Sequence, residues 1–328
     1  MAVTDRHLLA QKTHNVAQRL HPSDPLYKQW VFRYTFLELD KDIGEKGDIT
    51  TDALFPDDVE IEGFVISNSE GVLAGIQEAN YFLVGSDPAF KPRIGRLVAD
   101  FLKKDGDVVA PGDIILRLKG RVQDVLKVER ILLNLLQRMS GIATITSKYV
   151  DLLRRLECGA LLVPTRKTVW GLLDKRAVVV GGGGTHRLDL SDAVMIKDNH
   201  SVILNQDIGY MIKTCAQNPG RFLEIEVETK ERAVEAARAF RQLHVPGGLD
   251  VPGVIMFDNM KASGIRESIA AIREGGFESE MLLYEASGGI RLENIEHYAS
   301  SGVDVISVGE ITHSAVSLDF SMEIKVQN

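Results

Sequence analysis

Residues 165–200 read TRKTVWGLLDKRAVVVGGGGTHRLDLSDAVMIKDNH. Arg166, Lys167, Lys175, Arg176, Arg187 and Lys197 outnumber Asp174, Asp189, Asp192 and Asp198, and His186 and His200 add further nitrogens. The chain as a whole carries a formal net charge of -8, so the surplus of cations is local. Such a cluster suits one small, multiply anionic ligand. Guanidinium forks bind carboxylates and phosphates bidentately, whereas ammonium groups act as point charges. A single one of these cations is more often a surface charge. Several at successive strand ends would converge on one mouth.

Carboxylates recur in a second pattern. In LEIEVET, Glu224, Glu226 and Glu228 alternate with Ile225 and Val227, so they share one face of a strand. An edge strand with a wet side would give the same pattern. If the face points into a barrel, unpaired carboxylates are costly, and cations, a metal ion or ligand hydroxyls must lie nearby. Asp258 ends the apolar run GVIMFDN, an odd place for a charge without a partner. Ser287-Gly288-Gly289 and Ser307-Val308-Gly309 follow late apolar runs, and backbone amides there can cradle a phosphate. The run of four glycines at 181–184 does not match GxGxxG and lacks an acid placed for a ribose, which disfavours a dinucleotide fold.

These groups need elements to hold them. The first forty residues read as one or two helices. EGFVISNSEGVLAGI carries a hairpin signal at Asn-Ser-Glu-Gly. The stretch DGDVVAPGDIILRLKG resembles half of a biotinyl or lipoyl carrier domain, but shows no hairpin presenting a modifiable lysine. Residues 122–156 turn helical, with Arg130, Asn134 and Arg138 forming a polar stripe at i, i+4 and i+8. From residue 161 onward the runs ALLVP, AVVV, AVMI, FLEIEV, GVIMF, MLLYE and VDVISV alternate with helix-like stretches. Near-continuous apolar strands between helices indicate a parallel sheet covered on both sides. Most of the runs end in polar or Gly-rich groups, which favours a β/α barrel over an open sheet with one switch point. The expected organisation is α/β: an N-terminal α/β domain over 1–131, to which 316–328 return, and a complete or incomplete parallel β/α barrel over 132–315.

Bulk properties bound the setting. At 328 residues and 45% hydrophobic content, the chain can bury a sizeable core. The acidic balance argues against nucleic acid. No apolar run reaches membrane-spanning length, and MAVTDRHLLAQKTHNVAQRL lacks a signal-peptide core. Cys158 and Cys215 have no CxxC or His-rich neighbour, so neither a disulfide framework nor a zinc site is expected. The cytoplasm is the expected compartment.

Read together, GDITTDALFP (47–56), ERILLNLLQRMSGIAT (129–144), the 165–200 stretch, EIEVET, FDNM, EASGGI and SVGEITHS resemble the quinolinate phosphoribosyltransferases over most of the chain. The resemblance implies an open α/β sandwich followed by an often incomplete α/β barrel. It implies a homodimer with shared active sites, open to higher assembly, that joins quinolinate to 5-phosphoribosyl-1-pyrophosphate (PRPP) with Mg²⁺. Nicotinate mononucleotide, carbon dioxide and pyrophosphate would be the products. Carried over by motif, Arg130 would reach into the partner's site. Thr165, Arg166, Lys167, His186, Arg187 and Lys197 would line the acid pocket and the pyrophosphate path. Glu226 and Asp258 would face the ribose hydroxyls and the metal, with Lys167 as the third catalytic group. Ser287, Gly288 and Gly289, with Val308, Gly309 and Glu310, would bind the 5-phosphate. No covalent intermediate and no essential cysteine are expected.

The chain departs from the family pattern in one loop. Trp170 occupies the position of a usual Pro, GLLDK is short and lacks an Arg, and Pro164 stands where an Asp is common. HVPGGLDVPG (244–253) reads as an inserted surface loop. Rival readings are a same-fold paralogue of the molybdenum-transport type, an enzyme that takes nicotinate, a Schiff-base aldolase using Lys197, and a phosphate-binding sensor without turnover. The surplus of cations favours a dicarboxylate.

Overall fold

The computed structural model describes residues 3–56, 59–85, 88, 90–204 and 207–326. Helix α1 (Val3–His14) opens the chain. Strands β1 (Glu60–Ser67), β2 (Gly71–Val72), β3 (Leu97–Phe101), β4 (Val108–Val109) and β5 (Ile114–Arg121) lead into the long helix α2 (Val122–Arg155). After it come β6 (Leu161–Pro164), helix α3 (Leu172–Val180), β7 (Val194–Ile196), β8 (Leu223–Val227), β9 (Gly253–Asp258), β10 (Leu282–Ser287) and β11 (Val305–Val308). Strand β12 (Phe320–Val326) comes last. No helix among the described residues is long and apolar enough to cross a membrane.

The chain divides into two units, neither continuous in sequence. One comprises Ala17–Ser147, Thr168–Gly182 and Ser314–Asn328; the other comprises Met1–Val16, Lys148–Lys167 and Gly183–His313. This differs from a boundary at 131/132, which would cut α2 in mid-helix. The first sixteen residues also belong with the barrel strands, because α1 packs on β6. The tail does return to the N-terminal sheet, where β12 pairs antiparallel with β1.

In the first unit the sheet order is β12-β1-β5-β3. Alternate residues of β1, among them Ile61 and Val65, are buried, as expected for a sheet wet on one side. The expected hairpin after β1 does not form. Both edges of β1 are occupied by β5 and β12, so β2 pairs with β4 instead. The AVVV run is not a strand either; it forms the end of α3, with Ala177 and Val178 buried.

In the second unit six parallel strands follow the order β6-β11-β10-β9-β8-β7. The last strand, β11, lies beside the first, β6, so the sheet curls into a barrel. Among the described residues β6 and β7 share no ladder. The segment between them fills the gap: Gly184 N donates to Leu162 O at 2.8 Å, and Arg187 Nη1 donates to Ala193 O at 3.2 Å. The barrel is therefore an incomplete one. Its floor is apolar, a cluster of Leu161, Val163, Ala193, Phe222, Val254, Leu283 and Val305 packed with Ala10 of α1.

Candidate active site

Residues two apart on a strand face the same way, so each barrel strand carries a row from floor to mouth. The row on β8 runs from Phe222 in the apolar cluster to Glu224, fully buried, and then to Glu226, partly open. On β10 it runs Leu283, Glu285, Ser287; on β9, Val254, Met256, Asp258; on β7, Ala193, Met195, Lys197. Rows on β6 and β11 end in Thr165 and Gly309. The upper ends are thus Thr165, Lys197, Glu226, Asp258, Ser287 and Gly309, every one a residue singled out by sequence. Beneath them lies a buried polar layer that sequence reading saw only in part.

At the mouth, Lys197 Nζ meets Glu226 Oε1 at 2.7 Å. Arg166 and Lys167 are exposed. Their loop is pinned, because Lys167 N donates to Thr165 Oγ1 at 3.2 Å and Thr312 Oγ1 donates to Lys167 O at 2.9 Å. Arg187 is only 5% exposed, and its Nε has no hydrogen-bond partner. Burial lowers its pKa, the neighbouring Arg166 charge adds to that, and Glu224, Glu226 and Asp189 oppose it. Arg187 thus keeps an unmet donor within range of the Arg166 charge. That arrangement is ready for an anion.

The acid and phosphate positions are shaped by close backbone packing. Asn259 Nδ2 donates to Asp258 Oδ2 at 2.8 Å, and Asn259 N donates to Ser287 O at 3.0 Å. Gly288, at φ +87°, leaves room for that contact: a Cβ there would lie 2.3 Å from Asn259 Oδ1. Gly289 is exposed, Val308 is buried, and Glu310 accepts from the Tyr149 hydroxyl at 3.1 Å.

His186 is buried rather than open to the mouth. It is 3% exposed, and its Nε2 lies 3.2 Å from Glu224 Oε2 and 3.4 Å from Glu285 Oε1. On the far side, His14 Nε2 lies 3.3 Å from Glu285 Oε2. Burial alone would lower the His186 pKa, but Glu224 and Glu285 outweigh it and raise it to about 9. Burial and the charge of Glu285 push Glu224 up to about 7. Glu285 itself overcomes burial and sits well below the usual carboxylate range, through the charge of His186 and the two imidazoles. Burial pushes His14 down, against the pull of Glu285. The alternation of LEIEVET signalled that inward carboxylates need cations; nothing in sequence pointed to His14.

Other residues singled out by sequence have different surroundings within their own units. Arg130 belongs to the first unit, and its side chain is 58% exposed on α2. The polar stripe of α2 breaks at Arg138, which grips Asp174 at 2.9 and 3.1 Å. Lys175 and Arg176 also belong to the first unit, where Arg176 pairs with Asp105 at 3.3 Å. His200 Nδ1 accepts from Lys197 N at 2.8 Å in a local turn. Glu228 lies past the end of β8 and is exposed.

Fold and site together define an α/β-barrel protein whose mouth carries both cations and carboxylates. Comparison with known proteins agrees: the quinolinate phosphoribosyl transferase C-terminal domain matches residues 142–323, and the N-terminal domain of the same name matches residues 48–140. The chain belongs to the quinolinate phosphoribosyltransferase family. It is 39% identical over 282 residues to a probable carboxylating nicotinate-nucleotide pyrophosphorylase of Methanothermobacter thermautotrophicus, covering 85% of this chain and 93% of the relative. A probable enzyme of the same name from Bacillus subtilis is 36% identical, over 91% of this chain and 93% of its own. The solved structure of NadC from Streptococcus pyogenes aligns with a TM-score of 0.74 at 32% identity, over 89% of this chain and 96% of that one.

Proposed function

We propose that this chain is a carboxylating pentosyltransferase. It transfers phosphoribosyl from PRPP to the ring nitrogen of quinolinate, with loss of the 2-carboxylate, and releases nicotinate mononucleotide, carbon dioxide and pyrophosphate. The observation that carries this reading is the pairing of guanidinium and carboxylate groups in one mouth: Arg187, buried with an unmet donor beside Arg166, and Lys197 bound to Glu226 near the end of the same barrel.

Each group has a defined task in this chemistry. Arg166, Arg187 and Lys167 hold the acid and the pyrophosphate path. Glu226 and Asp258 face the ribose as positive charge develops at its anomeric carbon, a state that fixed carboxylates stabilise. The backbone at Ser287, Gly288 and Gly289 and at Val308, Gly309 and Glu310 receives the 5-phosphate. On carboxylate loss the cationic ring nitrogen stabilises the electron pair left on the adjacent carbon by its charge until a proton from solvent replaces the departed carbon dioxide, so no covalent bond to the protein is required.

Mg²⁺ fits the donor set as a substrate-borne ion. Such ions use one or two carboxylates together with substrate phosphates, and Glu226 and Asp258 offer two hard oxygens at strand ends. Among the described residues no group of three or more ligands surrounds them. Bound there, Mg²⁺ would neutralise the leaving pyrophosphate. A cytoplasmic setting and a homodimer in which Arg130 enters the partner's site complete the reading.

The test mixes protein, Mg²⁺ and PRPP with quinolinate or with nicotinate and follows nucleotide and carbon dioxide. Turnover with quinolinate alone is expected. Turnover confined to nicotinate, or tight binding without turnover, overturns the proposal.

A further inference from the structure

The buried polar layer beneath the mouth is not accounted for by ligand contact. His14, His186, Glu224 and Glu285 are each no more than 4% exposed at the side chain, and they come from α1, the β6–β7 segment, β8 and β10. Ser307 Oγ donates to Glu285 Oε1 at 2.5 Å. The Phe222 ring stacks on His14 at 4.7 Å and meets His186 edge-on at 5.7 Å.

The backbone is built around the same pair of histidines. His14 O, at the end of α1, accepts from Thr185 N at 2.8 Å and from His186 N at 2.9 Å. Thr185 Oγ1 adds a third bond to it at 3.1 Å. Arg221, itself paired with Asp192, donates to His186 O at 3.0 Å and to Thr13 O. His186 is held at φ +52°, in the left-handed region that a side chain disfavours. The end of α1 thus plugs the open side of the barrel and fixes the strained residue that follows. His14 also lies upstream of the residues matched by the family's N-terminal domain, which begin at 48.

We propose that Glu285 and His14 are positioning residues that hold the His186 imidazolium under the mouth as a fixed cation for one carboxylate of the acid substrate. The inference rests on the quinolinate reading above. Glu285 faces His186 with one oxygen and His14 with the other, so its charge is anchored where His186 needs it. Glu224 faces His186 from β8, and Arg187 and Arg221 are the cations nearest the cluster.

The test uses full-length wild type with Glu285→Gln, Glu285→Asp, His14→Ala and His14→Gln. Nuclear magnetic resonance follows the His186 ring through its titration, and steady-state kinetics cover pH 6–10. The ring titration is readable whether or not quinolinate turns over, so failure of the functional reading is told apart from failure of this one. In wild type the ring titrates near pH 9, and Glu285→Gln lowers it by about one unit or more, with the alkaline limb of kcat/KM for quinolinate moving in step. Glu285→Asp retains most of the wild-type value. His14→Ala raises KM for quinolinate about tenfold and KM for PRPP less than twofold, and His14→Gln restores much of it. An unmoved titration in Glu285→Gln, or equal losses for both substrates with only a lower Tm, overturns the proposal. So does a stoichiometric divalent metal in the purified wild type that His14→Ala releases, since the cluster would then be a metal site.

Discussion

Lys197 and Glu226 meet at 2.7 Å at the mouth, and their charges do different work. Glu226→Gln keeps the shape and the contact to Lys197 but removes the negative charge that faces the ribose. Its kcat/KM for PRPP should fall about 100-fold or more, by analogy with the loss of one electrostatic stabiliser. Quinolinate binding, measured separately, should weaken only a few-fold. A loss in kcat/KM below threefold would remove Glu226 from the reaction. His186 gives a second residue-scale expectation. Its pKa is about 9 in the fold against an ordinary 6.5, so the folded state binds the proton more tightly than the unfolded chain. The resulting stabilisation is present in full below pH 6.5 and is lost as pH rises through about 9. It is on the order of 3 kcal/mol. Thermal melts between pH 6.5 and 9 should fall in wild type and fall less in His186→Asn; parallel curves would contradict the assignment. Alternation in LEIEVET and the strand-end positions of Lys197 and Asp258 made these groups legible. His14 was not, because a period of two tells which face a residue takes and not which distant residue will meet it.

Elements show where local pattern and tertiary packing part. AVVV has every feature of a buried strand, yet it completes α3. Asp174 in the first turn accepts from Val169 N at 2.7 Å and Trp170 N at 3.1 Å, and Arg138 of α2 holds the same carboxylate. Those bonds set a helix start that β-branched residues alone would not choose. The same contacts explain how the loop tolerates Trp170 in place of a proline. The Trp170 ring stacks on Tyr34 at 4.8 Å, and Tyr34 stacks on Trp30 at 6.1 Å, so three rings replace the stiffness of the missing pyrrolidine. Gly171 is the close point of that arrangement, at φ +56° with the Trp30 ring 2.2 Å from where a Cβ would sit. Gly171→Ala must therefore displace Trp30 as well as strain the backbone. A loss of about 2 kcal/mol is expected, read as a lower Tm. A change below about 0.5 kcal/mol would mean that the stack is loose. Six of the seven apolar runs and the parallel direction of the barrel strands were legible, because parallel strands buried on both faces leave near-continuous apolar runs. The pairing of β2 with β4 was not, since a two-residue strand has no pattern of its own.

At the scale of the whole molecule, chain order and spatial order differ. The two units exchange segments five times along the sequence, so a cut at 131/132 would leave the N-terminal fragment without the Thr168–Gly182 connection and the C-terminal fragment without α1, with α2 split between them. Neither fragment should fold as a unit. The same division poses the question of Arg130, which stands exposed in the first unit while the other proposed ligand groups belong to the barrel unit. If the site is shared across a dimer, Arg130 serves the neighbour and Lys167 serves its own subunit. Arg130→Ala and Lys167→Ala would then each be inactive as pure proteins. Unfolded, refolded and mixed one to one, about half of the dimers would be mixed, and each mixed dimer would hold one site with both defects and one with neither. Activity near a quarter of wild type should appear in the mixture, from two inactive parents. If Arg130 instead serves its own subunit, every site in a mixed dimer keeps one defect and no activity returns. Recovery at a quarter thus separates the two geometries by counting intact sites, and an absence of recovery in a mixture shown to contain mixed dimers would assign Arg130 to its own subunit.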